Sequence, residues 1–571
     1  MKKRSILSLL AGVLLSTALA QPTPHWQQQG SAKQLIVDNC PYLILGGELG
    51  NSSASSPYDI NRIFPKLKRM GLNTVLVPAY WDLIEKQEGT YDFSLVDHAI
   101  TQARANDLRI VFLWFGAWKN SMSCYAPLWF KQDYKKYPRV QTRTGKPLEI
   151  ASPFSENVLQ ADSRAFKAFM QHLADTDRPQ HTVIMVQVEN EIGMLEDARD
   201  HSEEANRLFE APVPEALLTY LKQNKKTLHP WLKDKWQKAG EKTEGNWQEV
   251  FGTDLYTDEV FMAWHYASYV ERIAQCGRTI YDLPMYVNAA MNSRGRKPGE
   301  YPSAGPLAHL IDIWHCAVPS IDLLAPDLYD KGFTNWVQQY KLHNNPLFIP
   351  EIRLEANDGV RAFYVFGEHD GIGFSPFSIE DAPDTLSFPL VQSYRTLREL
   401  MPLITRYQGK GQMKGLLFDQ EHTERTLEWD NTVLACRHFF TLPWDARATD
   451  GSIWPEGGGL VIRMAEDEYL IAGSGIVIEF KSKEEAQQTS APTQLGEDGF
   501  VLDGKEEQAS TSRWKGDMRI GIGSVDQVNV APDGSLKYIR RLNGDQDHQG
   551  RHARIGVDDF QILHVKLYKY R

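Results

Sequence analysis

The stretch Val183-Ile184-Met185-Val186-Gln187-Val188-Glu189-Asn190-Glu191-Ile192-Gly193 decides the fold. Its first six residues form a nearly continuous apolar run that includes Val183, Ile184, Val186 and Val188. Runs of this kind suit a parallel strand covered on both faces, whereas strict alternation suits a strand with one wet face. The run then ends in Glu189, Asn190 and Glu191, polar groups that such a strand delivers to one end of its sheet.

Comparable runs lie on both sides of it. Leu43 to Gly47, Thr74 to Val77 and Ile110 to Trp114 precede it; Pro284 to Val287, Ile321 to Ala325, Pro346 to Ile349 and Gly371 to Phe374 follow. Amphipathic stretches such as Ile60 to Met70 and Val96 to Ala105 separate several of them. Eight buried strands alternating with helices predict an α/β fold, a (β/α)8 TIM barrel. A doubly wound open sheet competes, but no Gly-rich dinucleotide fingerprint follows the first run. Between the fourth and fifth runs, Gly193 to Asp282 holds charged helical sequence, including Glu215 to Lys226 and Trp231 to Lys238. A helical insertion after strand four is therefore expected.

After about residue 400 the texture changes to short alternating segments with Gly, Asn and Asp turns, such as Leu460 to Met464 and Phe560 to Tyr568. That pattern predicts a C-terminal β-sandwich. At the other end, Lys2, Lys3 and Arg4 precede an apolar core, Ile6 to Leu15, and a small-residue site at Ala18-Leu19-Ala20. This is the order of an export signal, too short to span a bilayer. The expected division is a signal peptide over 1–20, a catalytic barrel over 21–405 and a sandwich over 406–571. Cleavage near Ala20 would leave a periplasmic or secreted protein without a membrane anchor.

Composition narrows the partners. Of 571 residues, 42% are hydrophobic and 24% charged, which excludes a disordered chain. A net charge of −11 repels phosphate backbones, so nucleic acid is not an expected partner. The five cysteines are scattered without a CxxC pair, and His315, Cys316 and His343 match no standard metal spacing. HExxH, GxSxG and Walker motifs are missing too, so neither metal nor cofactor is expected. Aromatics reach 11%, and Trp81, Trp114, Trp118 and Trp129 fall in or just past strand ends, where one or two would offer a flat apolar face to a ligand.

Chemistry concentrates at two strand ends. Glu191 follows the fourth run; Glu351 follows the seventh, in Phe348-Ile349-Pro350-Glu351-Ile352-Arg353. Across a barrel mouth the two can converge, as glycoside hydrolysis requires: one carboxyl protonates the leaving oxygen, the other attacks the anomeric carbon. Mutual repulsion and burial separate their pKa values and hence their roles.

Together with Val77-Pro78-Ala79-Tyr80-Trp81-Asp82-Leu83-Ile84-Glu85 and Glu88 to Phe93, the Gln187 to Gly193 segment resembles glycoside hydrolase family 35, the β-galactosidases of clan A. The tail around Arg541 to Gln546 looks like the sandwich of a bacterial branch. The resemblance implies a retaining, exo-acting β-galactosidase with Glu191 as acid/base and Glu351 as nucleophile. It further implies that Asn190 meets the sugar 2-hydroxyl and that Tyr329 holds Glu351. One motif departs from the family. Many members read Cys-Ala-Glu-Trp after strand three, where this chain reads Phe115-Gly116-Ala117-Trp118-Lys119-Asn120. Glu48, Trp118, Asn120 and Asn292 are the expected substitutes for the missing acid. Galactosylated plant-wall oligosaccharides such as xyloglucan are the expected substrates. A β-glucosidase, an α-L-arabinopyranosidase and a non-catalytic carbohydrate-binding protein are the alternatives; oligomeric state is open.

Overall fold

The computed structural model describes residues 22–292, 294–329, 331–487 and 518–571; the export signal expected over 1–20 lies outside them. Eight parallel strands form the centre: Ile44–Leu45, Thr74–Tyr80, Arg109–Lys119, Val183–Asn190, Met285–Ala290, Leu323–Leu328, Phe348–Ile352 and Gly373–Pro376. Each coincides with one of the eight apolar runs. Neighbours pair in sequence order, and strand eight pairs with strand one. The ring closes just beyond strand one, where Glu48 bridges Leu76 of strand two and Phe377 after strand eight. The backbone amide of Leu76 donates to Gly47 and that of Leu49 to Leu76, at 3.0 and 3.1 Å. The expected TIM barrel is present.

Helices cover the outside. Pro57–Arg69 starts at a Ser56 cap whose hydroxyl accepts from the Asp59 amide, and it buries Ile60, Ile63, Phe64 and Leu67 at helical spacing. The insertion after strand four contains helices Glu203–Glu210, Glu215–Gln223, Pro230–Lys238 and Trp247–Phe251 before the long helix Leu255–Arg278. A three-stranded antiparallel sheet, His25–Gln29, Ala32–Val37 and Cys40–Tyr42, precedes the barrel and was not anticipated. Asp38 at its last turn pairs with Arg109 and His181, at the N-terminal ends of strands three and four. The sheet thus closes the end of the barrel opposite the predicted site.

The helix Asp384–Tyr407 leads into a region of ten described strands, from Met413–Phe418 to Gln561–Tyr570. They make one six-stranded and one four-stranded antiparallel sheet. Leu434, Ile476 and Ile478 of one meet Leu416, Val461 and Ile471 of the other in a common core, which is the sandwich expected from the alternating pattern. The other face of the larger sheet seats on barrel helix Asp358–His369. There Arg361 makes two hydrogen bonds to Glu456, at 2.8 and 2.7 Å, and Arg425 bonds Glu368 at 2.8 Å. No helix among the described residues is long and apolar enough to cross a membrane.

Candidate active site

The C-terminal end of strand four leaves ordinary β geometry. Glu189 and Glu191 both have positive φ, 59° and 44°, a region that costs L-residues of order 1–3 kcal/mol each. Specific bonds hold it there. The Glu191 amide donates to Asn288 Oδ1 of strand five at 3.0 Å, and the Asn288 amide group donates to Asp327 Oδ2 of strand six at 2.6 Å. From the strand-three side, the Ser121 amide donates to the Glu191 carbonyl at 3.1 Å, and Asn120 Nδ2 donates to Glu191 Oε2. Three neighbouring strands therefore aim Glu191.

Glu351 stands at the end of strand seven with Asp327 as its backbone partner on strand six. The Tyr329 hydroxyl donates to Glu351 Oε1, and Arg353 lies over the Tyr329 ring and bonds its carbonyl at 3.2 Å. One carboxylate oxygen from each of Glu191, Asp327 and Glu351 lies within 4.8 Å of the others. Among the described residues this trio is the group close enough to hold a cation; His315, Cys316 and His343 do not form one. Glu48, whose backbone closes the barrel, adds a fourth carboxyl and is fully buried.

Four acids in a dry mouth cannot all be ionised. Burial, then the Glu351 charge, holds Glu48 well above the usual carboxylate range. Asp327 is raised for the same two reasons, with Glu191 and Glu48 adding to it. Glu351 itself is pushed up to about 7 by burial and by Glu191; buried Lys119, the Tyr329 hydroxyl and Glu48 pull the other way. Glu48 and Glu351 are close enough to act on each other, and burial together with the Glu351 charge favours the neutral form of Glu48.

Of the expected site residues, Glu48, Asn120, Asn190, Glu191, Tyr329 and Glu351 come together at this mouth. Both amide atoms of Asn190 and both oxygens of Glu48 are buried without a protein partner, as is Glu351 Oε2. Two expectations are corrected. Trp118 turns its ring against Tyr269 and Tyr266 of helix Leu255–Arg278, at 4.7 and 5.7 Å, and is a packing residue rather than a sugar platform. Asn292 spends its amide on its own loop, bonding the Arg296 carbonyl at 2.9 Å and the Arg296 amide at 3.1 Å. It lines a 290 Å³ cavity with Trp231, Trp336 and His309, whose walls include none of the four acids. The other rim tryptophans are also structural. The Trp81 indole bonds Glu85, that of Trp114 bonds Asp162, and that of Trp129 bonds the Glu85 carbonyl.

Three site residues were missed: Lys119, Asn288 and Asp327. Two of them, Lys119 and Asp327, carried a signal. Lys119 adjoins Asn120 in the very segment that departs from the family motif, and Asp327 lies two residues before Tyr329, near the end of the apolar run that leads to it.

A closed parallel barrel with two buried glutamates facing each other at the C-terminal ends of strands four and seven has the working parts of a barrel-type glycoside hydrolase. Residues 55–260 match the model of glycoside hydrolase family 42, described as Beta-galactosidase, and 390–554 match a domain of unknown function, DUF5597. The matching family is thus 42, where the motifs resembled 35. A β-galactosidase of Xanthomonas manihotis is 28% identical over 206 residues, 34% of this chain and 31% of the relative. Solved β-galactosidases from G. stearothermophilus, in a catalytic-mutant form of family 42, and from Bacillus circulans sp. alkalophilus share 15% and 14% identity. The first covers 67% of this chain and 59% of its own, with a TM-score of 0.44; the second covers 63% and 56%, with a TM-score of 0.42. The chain therefore spans under a third of its curated relative and under two thirds of these solved ones.

Proposed function

We propose that this protein is a retaining, exo-acting β-galactosidase that works by double displacement. The observation that carries the reading is the approach of Glu191 and Glu351, oxygens within 4.8 Å across the mouth. Retaining glycosidases hold their carboxyls about 5–5.5 Å apart, inverting ones about 6.5–9.5 Å. Glu351 attacks the anomeric carbon from its unpartnered Oε2 while Tyr329 holds Oε1. Glu191 protonates the leaving oxygen and then deprotonates the water that releases the sugar, with Asn120 fixing its orientation. Asn190 and the neutral acids Glu48 and Asp327 meet sugar hydroxyls with their unpartnered atoms. The family match over 55–260 supports galactose as the sugar. Export after cleavage near Ala20 and galactosylated plant-wall oligosaccharides as natural substrates complete the proposal.

The test is a panel of aryl β-D-galactoside, β-D-glucoside and α-L-arabinopyranoside with the wild type, Glu191→Gln and Glu351→Gln. Fastest turnover of the galactoside, with β-galactose as first product by NMR, is the expected result. Wild-type rates in both variants would overturn the site. Sugar binding without turnover of any glycoside would make the protein a carbohydrate-binding module instead. Protein recovered from the cell envelope should begin at Gln21; an intact Met1 would refute export.

A further inference from the structure

After a one-residue shift that skips Ile184, strands three and four run in register from Val111 opposite Met185 to Trp114 opposite Val188, and pairing resumes only at Lys119 opposite Asn190. Phe115 to Trp118 therefore bulge out against Glu189 alone. A bulge of this size removes backbone amides from their ladder partners. The Glu189 side chain fills the gap, its Oε2 accepting from the Trp118 amide at 2.8 Å. Gly116 makes the room: a Cβ there would lie 2.7 Å from Glu189 Oε1.

Behind Glu189 lies Asp162, on helix Glu156–Asp177. Its Oδ1 accepts from the Trp114 indole at 3.0 Å and its Oδ2 from the Tyr269 hydroxyl at 2.8 Å. Both acids are fully buried and close enough for the Asp162 charge to act directly on Glu189, an approach that two ionised carboxylates resist away from water. The donors decide where the proton sits. Each Asp162 oxygen already has an outside donor that favours the charged form, whereas Glu189 Oε1 has none.

We propose that Glu189 is a neutral carboxylic acid donating its proton to ionised Asp162, and that it is the positioning residue for Glu191. It acts through the bulge, whose far end carries Asn120 and Ser121 onto Glu191. Burial and the Asp162 charge both hold Glu189 above the ordinary carboxylate range, in keeping with that placement. The positioning role rests on the proposed glycosidase site; the shared proton does not.

Two readouts separate them. Infrared difference spectra of the wild type against Glu189→Gln, at about pH 8, should show the carbonyl stretch of a protonated carboxylic acid lost in the variant. Loss of a carboxylate band instead overturns the pair, whether or not the protein hydrolyses galactosides. In kinetics, Glu189→Ala should lower kcat about 100-fold with KM little changed, the cost of a displaced catalytic group. Glu189→Gln keeps an acceptor for Trp118 and a donor for Asp162, so it should restore most of that loss. A Gln variant as slow as Ala, with the fold intact by circular dichroism, means that Glu189 works as an anion and the proposal fails. An Ala variant at wild-type kcat refutes positioning while leaving the shared proton to the spectra.

Discussion

The mouth of the barrel and the layer directly behind it contain the same chemistry in opposite conditions. Behind, Asp162 has a donor for each oxygen, and Glu189 holds the bulge through Oε2 while its Oε1 has no donor. In front, Glu48, Asn190, Asp327 and Glu351 all keep buried polar atoms without a protein partner. An unmet buried polar atom costs about 1–3 kcal/mol. A fold tolerates several together only where the surrounding structure over-determines them, and such clusters mark sites built for a ligand. The two layers differ in how much is left unmet: four residues keep such atoms at the mouth, whereas behind it Asp162 is met at both oxygens and Glu189 keeps one unmet atom.

The sharpest way to break this contrast is at the front. Glu191→Gln and Glu351→Gln should each lower kcat on an aryl galactoside at least about 1,000-fold. Melting temperature should hold or rise in both, because each change relieves like-charge crowding. At the back the pattern should invert. Asp162→Leu strands the Trp114 indole, the Tyr269 hydroxyl and the Glu189 acid at once, and should cost about 3 kcal/mol in denaturant melts. A stable but inactive Asp162→Leu would erase the distinction between the layers.

Smaller effects should appear in the pH profile. As the proposed nucleophile Glu351 must be ionised, so with its carboxyl pushed up to about 7, kcat/KM should fall as pH drops through that value. Lys119 favours the charged form, so Lys119→Met should move this acid limb to higher pH. Tyr329→Phe should move it in the same direction by less, with a modest drop in kcat. A shift to lower pH in either variant would refute the assignment of this limb to Glu351.

The barrel was legible because buried parallel strands are written as apolar runs, and all eight were readable without knowledge of their neighbours. Glu191 and Glu351 were legible because they end such runs. The early sheet was not: His25–Gln29 is Gln-rich and exposed, and only Ala32–Val37 looks like a strand. Side-chain direction was harder still. Trp118 and Asn120 lie two residues apart in one short segment, yet the bulge sends one ring into the core and the other amide into the mouth. Local periodicity cannot predict that, because the bulge is held by Glu189 from another strand. Asn292 failed for a related reason: its amide closes a local turn, an alternative always open to Asn.

Glu48 joins two jobs that most barrels keep apart. Its backbone is the last rung of the ring, between strands two and eight, and its carboxyl faces Glu351, the proposed nucleophile. A different sugar preference can therefore be reached at this position only by changing the side chain, since any shift of the main chain would unfasten the barrel. The same coupling makes Gly46 to Leu49 a poor place to cut or circularly permute the chain: one break there would open the wall and blunt the chemistry together.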